Sequence, residues 1–531
     1  MKVLLVQPPV EDYYDTSIRT YPLGLAYIAA GIEDVCDVSI LDCRTGFKRP
    51  ASQNDFPELD EFYREDRRTP FSLFTRYSRY GMDKKEIYEA IQKESPDLIG
   101  ISSSFAAYSR EAAEIAAIAK EIDQHIITVV GGTHPTLFPH SVLDDGNVDY
   151  VVRGEGETPF LELVQSLRSG ARPRSTTSGI SFRRNGTHHI GNIHIEDDID
   201  AIPARHLLPS GRYRIGKKPY TFILTSRGCP FNCSFCGKPP VPYRRRGLKS
   251  IGNEVDRIEA MGIKAIDFED DMLNLDIPFF RNVLDVMQGR GITLSAMNGL
   301  YSQTLDIDTL AHMHKAGFSR LNFSLVDTSH AVNATQGRAY PANFLKLLDW
   351  LEASPFMIEA HFIIGLPGQT PADIIDTLVF LMGKRALPGP SIYYPAPGSL
   401  LFDSLSSDPA ANFRYCRSSV MFEANPALPR RTIFTFMKLL RFINTVKSLI
   451  DDTPGASGIE DLLAAPRMKK DPQHSRIFDT LLKEKRFIAF DVRGHEYVEE
   501  PQDKSLVAAF FDAMKGGTIK GFRTHNRIML P

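Results

Sequence analysis

The sequence predicts an α/β protein in three parts: an N-terminal doubly wound parallel sheet, a partial (β/α)6 barrel, and a mostly helical C-terminal region. Over about the first 170 residues, short apolar runs alternate with helix-period segments, as in an open parallel sheet covered on both faces. From Thr221 a strand followed by a helix recurs six times, which suits a partial barrel. The loop after the first of those later strands carries Cys229, Cys233 and Cys236 within eight residues. The expected boundaries are 1–175 for the first domain, 176–218 for a hairpin and linker, 219–402 for the barrel and 403–531 for the tail.

In the first part, strands are expected at 3–6, 38–41, 98–102, 126–130 and 150–152, and helices at 23–32, 84–93, 109–122 and 158–167. Ligands of such sheets sit in the crevice beyond the carboxyl ends of the strands. The residues expected there are small and polar: Ser102, Ser103 and Ser104, then Gly131, Gly132, Thr133 and His134, then Gly154, Glu155 and Gly156. Glycine admits close backbone approach and small hydroxyls donate without filling space, so a sizeable cofactor fits. Each turn alone reads as a tight turn, and none is a G-x-G-x-x-G fingerprint or a P-loop.

Residues 44–82 are rich in charge, aromatics and proline and follow no simple period. They read as an insertion, a flap over the ligand crevice. A hairpin turning at Asn185-Gly186 follows the first domain; His188 and His189 alternate faces on it, which argues against a metal site using both. Residues 197–218, with Pro203 and Pro209, read as the linker.

Barrel strands are expected at 221–225, 265–268, 293–296, 320–326, 357–364 and 391–394, and helices at 251–261, 277–288, 306–316, 344–353 and 372–383. In the tail, helices are expected at 432–450, 476–485 and 506–514. Cys36 and Cys43 read as packing residues and Cys416 as an idle buried thiol.

Bulk properties narrow the function. A net charge of −3 gives no electrostatic argument for nucleic acid. No window approaches the roughly 18 apolar residues of a membrane span; 433–450 is broken by Lys438, Arg441 and Lys447. The N-terminus reads as a buried first strand rather than a targeting segment, and six cysteines in 531 residues do not describe a disulfide scaffold. A reducing cytoplasmic setting is the expectation.

Three thiolates from one loop can ligate three irons of a [4Fe–4S] cluster and leave the fourth iron open. A zinc knuckle is the alternative, but structural zinc sites close with four protein ligands, and the loop holds no fourth Cys or His.

The C-x3-C-x2-C spacing of Cys229, Cys233 and Cys236, with Phe235 before the last cysteine, resembles the signature of radical S-adenosylmethionine (SAM) enzymes. The resemblance implies that SAM chelates the open iron and is cleaved to a 5′-deoxyadenosyl radical. Phe268-Glu269-Asp270-Asp271 resembles an element that, in one subclass, lies near the SAM amino group, implying SAM contacts from Asp270 and Asp271. Ser324, in a fourth-strand pattern whose usual Glu is Val326 here, Gly365, in Gly365-Leu366-Pro367-Gly368-Gln369 where Gln369 replaces Glu, and Pro397 resemble further SAM-contacting positions, as does Phe235.

Pro22-Leu23-Gly24-Leu25, Gly131-Gly132-Thr133-His134-Pro135 and the run from Val152 to Glu157 resemble the Rossmann-like cobalamin-binding domain that precedes the radical SAM domain in that subclass. The resemblance covers about residues 1–402 and implies cobalamin contacts from Leu23, Ser102, Ser103, Gly131, Gly132, Thr133, His134, Gly154, Glu155 and Gly156. The D-x-H-x-x-G motif that ligates cobalt in other cobalamin proteins is absent, so the resemblance implies cobalamin without a protein histidine on cobalt, with His134 a loop histidine near the corrin.

The implied activity is methylation of an unactivated carbon of a small, natural-product-type molecule, one SAM supplying the methyl group and a second the radical. An oxidative cyclisation or rearrangement, as in protoporphyrin ester cyclases, is the second reading, and a non-catalytic cobalamin and iron–sulfur sensor the third. The subclass also implies an electron donor such as flavodoxin or ferredoxin.

Overall fold

Val3, Leu4, Leu5 and Val6 of β1 (Lys2–Gln7) are all buried, as a strand covered on both faces requires. The computed structural model describes residues 1–14, 21–44, 46, 48–171, 178–209, 211–239, 241–405, 413–453 and 471–522. The chain forms two compact units, one of Met1–Gln53, Tyr77–Asp271 and Pro395–Cys416, the other of Asn54–Arg76, Met272–Tyr394 and Arg417–Pro531.

In the first unit, β1 is followed by α1 (Leu23–Ile32), β2 (Asp37–Asp42), α2 (Lys84–Glu94), β3 (Leu98–Ser102), α3 (Ser109–Ile122), β4 (Ile127–Gly131), β5 (Tyr150–Val152) and α4 (Glu157–Arg168). The expected helices 23–32 and 109–122 and strands 98–102 and 150–152 match these bounds, and the other elements shift by one residue at one or both ends. Asp83 starts α2 with a capping box, its side chain accepting from Glu86 N while Glu86 accepts from Asp83 N.

The strands order as β2-β1-β3-β4-β5, all parallel, so the order reverses between β1 and β3. Alternation along β1 sends Leu4 and Val6 into a core with Ile87, Ile91, Ile115 and Ile118 of α2 and α3. Val3 and Leu5 face the other core, with Leu25, Ala29, Phe160 and Leu163 of α1 and α4. Each face of the sheet therefore carries its own apolar layer.

The hairpin expected in the linker belongs instead to this sheet. β6 (Ile180–Arg184) pairs antiparallel with β5, and β7 (Thr187–His189) with β6, extending the sheet to seven strands. Its turn places Asn185 at φ 50° and Gly186 at φ 76°, the left-handed pair a two-residue hairpin demands.

The unit also holds β8 (Lys218–Ile223), α5 (Leu248–Ala260) and β9 (Ala265–Phe268), with β8 and β9 parallel. β8 ends before the expected Thr225 because Thr225 N is turned to the Asp270 carboxylate instead of a strand partner.

The second unit contains α6 (Ile277–Met287), β10 (Thr293–Ser295), α7 (Ile307–Ala316), β11 (Arg320–Val326), α8 (Ala342–Glu352), β12 (Met357–Ile364), α9 (Pro371–Met382) and β13 (Leu387–Ile392). β11, β12 and β13 form a parallel sheet in that order. β13 lies four residues before its expected start; Pro388 and Pro390 hide it in the sequence, and its terminal place in this sheet tolerates them.

The tail forms α10 (Arg430–Asp452), α11 (Pro472–Glu484), an unforeseen hairpin of β14 (Ile488–Asp491) and β15 (Glu496–Glu499), and α12 (Lys504–Ala513). The insertion divides between the two units. The strands at its two ends, Lys48–Pro50 and Ser78–Tyr80, pair with each other, and Ser78–Tyr80 pairs also with Val10–Asp12, while its middle belongs to the second unit, where Arg67–Arg68 pairs with β14. Phe71 anchors it, with ring centroids 5.0 Å from Phe478, 5.5 Å from Phe487 and 6.1 Å from Phe442. Among the described residues, no helix is long and apolar enough to cross a membrane.

Candidate active site

A cavity of about 640 Å³ opens at the carboxyl ends of β1, β3, β4 and β5. It lies where the strand order reverses, the position at which open parallel sheets bind ligands. Leu23, Ser102, Ser103, Gly131, Gly132, Thr133, Gly154, Glu155 and Gly156 all line it, nine of the ten residues that the sequence assigned to cobalamin. Gly132 has φ +118°, and a Cβ there would lie 2.7 Å from Ser103 O, so the two strand ends meet closely only because that residue is glycine.

His134 is the exception and is corrected here. It does not line the cavity; its ring is buried, edge-on to Phe413 at 5.4 Å, with Nδ1 and Ser103 Oγ hydrogen-bonded at 3.0 Å. The helical turn Thr133–Leu137 carries its side chain to the aromatic layer of Phe138, Phe402 and Phe413. Burial lowers its pKa to about 4, so the imidazole is neutral at pH 7.

The cavity wall also holds residues that the sequence reading missed. Tyr27 lines it one helical turn after Leu23, a period-four relation that was visible in the sequence. Its hydroxyl is buried without a hydrogen-bond partner among the described residues, and burial pushes its pKa up to about 12. The Arg227 guanidinium lies 5.0 Å from its ring centroid. Phe105, 59 % exposed, and Tyr108 also reach the cavity. A roomy pocket of glycines, hydroxyls and aromatics, with one orphaned phenol as a donor, fits a large amide-bearing cofactor such as cobalamin.

Phe222, Leu224, Arg227 and Glu269 supply a further wall, from β8, β9 and the segments that leave them. The cysteine loop begins at once after Arg227. Cys233 is buried, Cys229 and Cys236 are half-buried, and all three are free thiols. Burial raises the Cys229 pKa. Cys236 N donates to Cys233 O at 3.0 Å, and Leu401 N to Ser234 O at 3.0 Å, so the segment after Pro395 docks on the loop. Gly237 packs directly on the Pro397 carbonyl, where a Cβ would have no room, which brings Pro397 beside the loop. Among the described residues no three of His, Cys, Asp and Glu converge on one point, so the thiols stand in ligating order along the loop without being gathered. Three uncompleted cysteines on one loop fit a cluster that keeps an open iron better than a closed zinc site.

Asp270 is engaged by the chain itself. Its carboxylate is buried, and Oδ1 accepts from Thr225 N, Thr225 Oγ1, Ser226 N and Ser226 Oγ at 2.5–3.1 Å, while Oδ2 accepts from Thr225 N at 3.1 Å. It is the clasp that fixes the entry to the cysteine loop, and burial raises its pKa. Asp271 is partly exposed and ion-paired with Lys238 beside the loop, and Phe235 is half-buried within the loop.

Ser324 and Gly365 belong to the second unit, at the carboxyl ends of β11 and β12. A register shift between Ser324 and Val326 puts Val326 at φ 67°, a strained conformation for a β-branched residue. The turn aims Asp327 at Gln369, whose Nε2 donates to Asp327 Oδ2 at 2.7 Å and to Ile363 O at 2.9 Å. Gln369 Oε1 accepts from Gly365 N at 2.9 Å and from Leu366 N at 3.3 Å. The amide replaces the expected Glu because this position must donate as well as accept.

Comparison with known proteins agrees with this geometry. Residues 75–164 match the B12 binding domain family and residues 223–381 the Radical SAM superfamily. The chain is 28% identical over 395 residues to an uncharacterized methyltransferase of Pyrococcus horikoshii, covering 72% of this chain and 77% of that one. It is 26% identical over 408 residues to cytidylyl-2-hydroxyethylphosphonate methyltransferase of Streptomyces wedmorensis (69% and 73%). It is 23% identical over 339 residues to anaerobic magnesium-protoporphyrin IX monomethyl ester cyclase of Cereibacter sphaeroides (60% and 55%). In fold it is similar to the apo cobalamin-dependent S-adenosylmethionine radical enzyme OxsB, with a TM-score of 0.62 at 14% identity over 97% of this chain and 78% of that one. Residues 75–164 thus carry a B12 binding domain and residues 223–381 a Radical SAM domain, and the cofactors that go with these domains are cobalamin, SAM and a [4Fe–4S] cluster.

Proposed function

We propose that this enzyme is a cobalamin-dependent radical SAM methyltransferase acting on an unactivated carbon of a small, natural-product-type molecule. The observation that carries the reading is the shared wall: Phe222, Leu224 and Arg227, which lead into the cysteine loop, line the same cavity as Gly132, Thr133 and Gly156. A methyl carrier in that cavity would lie next to the site of radical formation, as transfer to a short-lived substrate radical requires. The methyltransferase relatives in Pyrococcus horikoshii and Streptomyces wedmorensis favour the same reading.

Cys229, Cys233 and Cys236 would hold the cluster, and Phe235, Asp271 and Pro397, within or beside that loop, would contact SAM. Leu23, Ser102, Ser103, Gly131, Gly132, Thr133, Gly154, Glu155 and Gly156 would cradle cobalamin, joined by Tyr27 as a hydrogen-bond donor. The bound cofactors supply a transferable methyl group and, through one-electron cleavage of SAM, the deoxyadenosyl radical. The chain would orient these groups, and the buried rings of Phe160 and Phe222 would keep water from that side of the cavity.

The test is anaerobic reconstitution and reduction with a flavodoxin, ferredoxin or dithionite donor, followed by mass spectrometry of SAM products. Methyl transfer predicts 5′-deoxyadenosine and S-adenosylhomocysteine together. Cyclisation, the second reading, which the cyclase relative favours, predicts deoxyadenosine without S-adenosylhomocysteine. Cys233→Ala is expected to abolish cluster absorbance and SAM cleavage together; retained cleavage contradicts the ligand assignment.

A further inference from the structure

Arg227 has two attachments. Its backbone is the last residue before Gly228-Cys229 and is held on both sides. Ser226 N and Oγ donate to Asp270, and Gly228, at φ +88°, packs against the Val241 and Pro242 carbonyls with no room for a Cβ. Its side chain, 12 % exposed, reaches the opposite way, with Nη2 2.6 Å from Glu157 Oε1 and Nη1 3.5 Å from Glu155 Oε1.

Arg244 reinforces it. It is paired with Arg227 across a two-residue antiparallel ladder, and its guanidinium donates to both oxygens of Glu155, at 2.6 Å and 2.9 Å. Burial acts to raise the Glu155 pKa, but the hydrogen bond from Arg244 and the charge of Arg227 hold it below the usual carboxylate value. Glu155 and Glu157 lie on the turn after β5 and the first residue of α4, and both line the cavity. That turn has little slack: Gly154, at φ +88°, packs directly on the His194 carbonyl, and Glu196 N donates to Glu155 Oε2 at 2.7 Å.

We propose that Arg227 is a positioning residue that couples the cavity of the first sheet to the cysteine loop, so that cobalamin in the one and an assembled cluster in the other strengthen each other's binding. The inference rests on the cofactor reading above and adds a link between the two sites. The physical reason is that both ends of the link are braced. An ion pair with most of its surface removed from water keeps its geometry, and a ligand that orders the Glu155–Glu157 turn orders Arg227 and hence the start of the loop. Such coupling is reciprocal and commonly amounts to a factor of about 5 or more in affinity.

The test titrates hydroxocobalamin by absorbance against the full-length protein, anaerobically, with the cluster loaded and with the cluster removed by chelator. The native chain is expected to bind at least about fivefold more tightly when the cluster is present. In Arg227→Gln and in Glu157→Gln that ratio should fall to near one, and the double variant should lose no more than either single. Arg227→Lys, which keeps the charge but not the fork, should retain an intermediate ratio. A second readout is iron release to a chelator, which hydroxocobalamin should slow in the native chain and not in the two glutamine variants. A ratio near one in the native chain overturns the proposal, as does an undiminished ratio in both variants. A protein that takes up neither iron nor hydroxocobalamin overturns the cofactor reading itself, a result distinct from uptake of both without coupling.

Discussion

Asp270 Oδ1 gathers four donors from Thr225 and Ser226, and that convergence gives a residue-scale prediction. Asp270→Asn would remove the charge that these donors share and turn an amide NH2 toward Thr225 N, itself a donor. The variant should lose about 2–4 kcal/mol in urea unfolding and hold less iron per chain after reconstitution. An unchanged unfolding midpoint with full iron content would refute the clasp. His134 makes a pH prediction. Its folded pKa of about 4 lies below the ordinary 6.5, so between those values the unfolded chain binds the extra proton. Its contribution to stability is whole above pH 6.5, falls as pH drops toward 4, and is lower by about 2 kcal/mol at pH 5. His134→Gln should flatten that segment of the stability–pH curve, measured by denaturant melts at pH 5 and 7.

At the scale of elements, the turn after β12 shows why residue 369 is Gln where the pattern has Glu. Asp327 and Gln369 are both buried and share a 2.7 Å hydrogen bond, and burial raises the Asp327 pKa. A glutamate at 369, the residue the pattern expects, would set two carboxylates face to face. Gln369→Glu should therefore cost about 2–4 kcal/mol at pH 8 and less at pH 5, where the pair can share a proton; equal loss at both pH values would count against the explanation. Helix α10 shows a second device. Lys447, fully buried, donates to the carbonyls of Met382, Lys384 and Lys520 at 2.7–3.0 Å, capping α9 and holding the C-terminal segment. Lys447→Met keeps the bulk but strands those carbonyls, and hydrogen exchange should show faster opening around residues 517–522. Exchange at the native rate would show that the segment is held by other contacts.

On the scale of the whole molecule, the chain folds as two units, and the cavity and the cysteine loop lie in the same one. Hydroxocobalamin at about 100 times its Kd should therefore add about 2.7 kcal/mol to the unfolding step of the first unit, read by calorimetry as a shift of one transition. An equal shift of a separate second transition, or none, would contradict that placement.

The amino-acid order alone settled what is local. Period-two and period-3.6 patterns located most strands and helices, and so marked the strand ends whose small and polar residues line the cavity, because turn chemistry and alternation act over a few neighbours. The tertiary structure decided what depends on distant partners. It took His134 off the cavity wall, bound Asp270 to Thr225 and Ser226, gave the insertion's middle to the second unit, and joined Arg227 to Glu157 across 70 residues of chain. Those outcomes follow from burial and hydrogen-bond satisfaction between segments far apart in sequence, which no local pattern encodes.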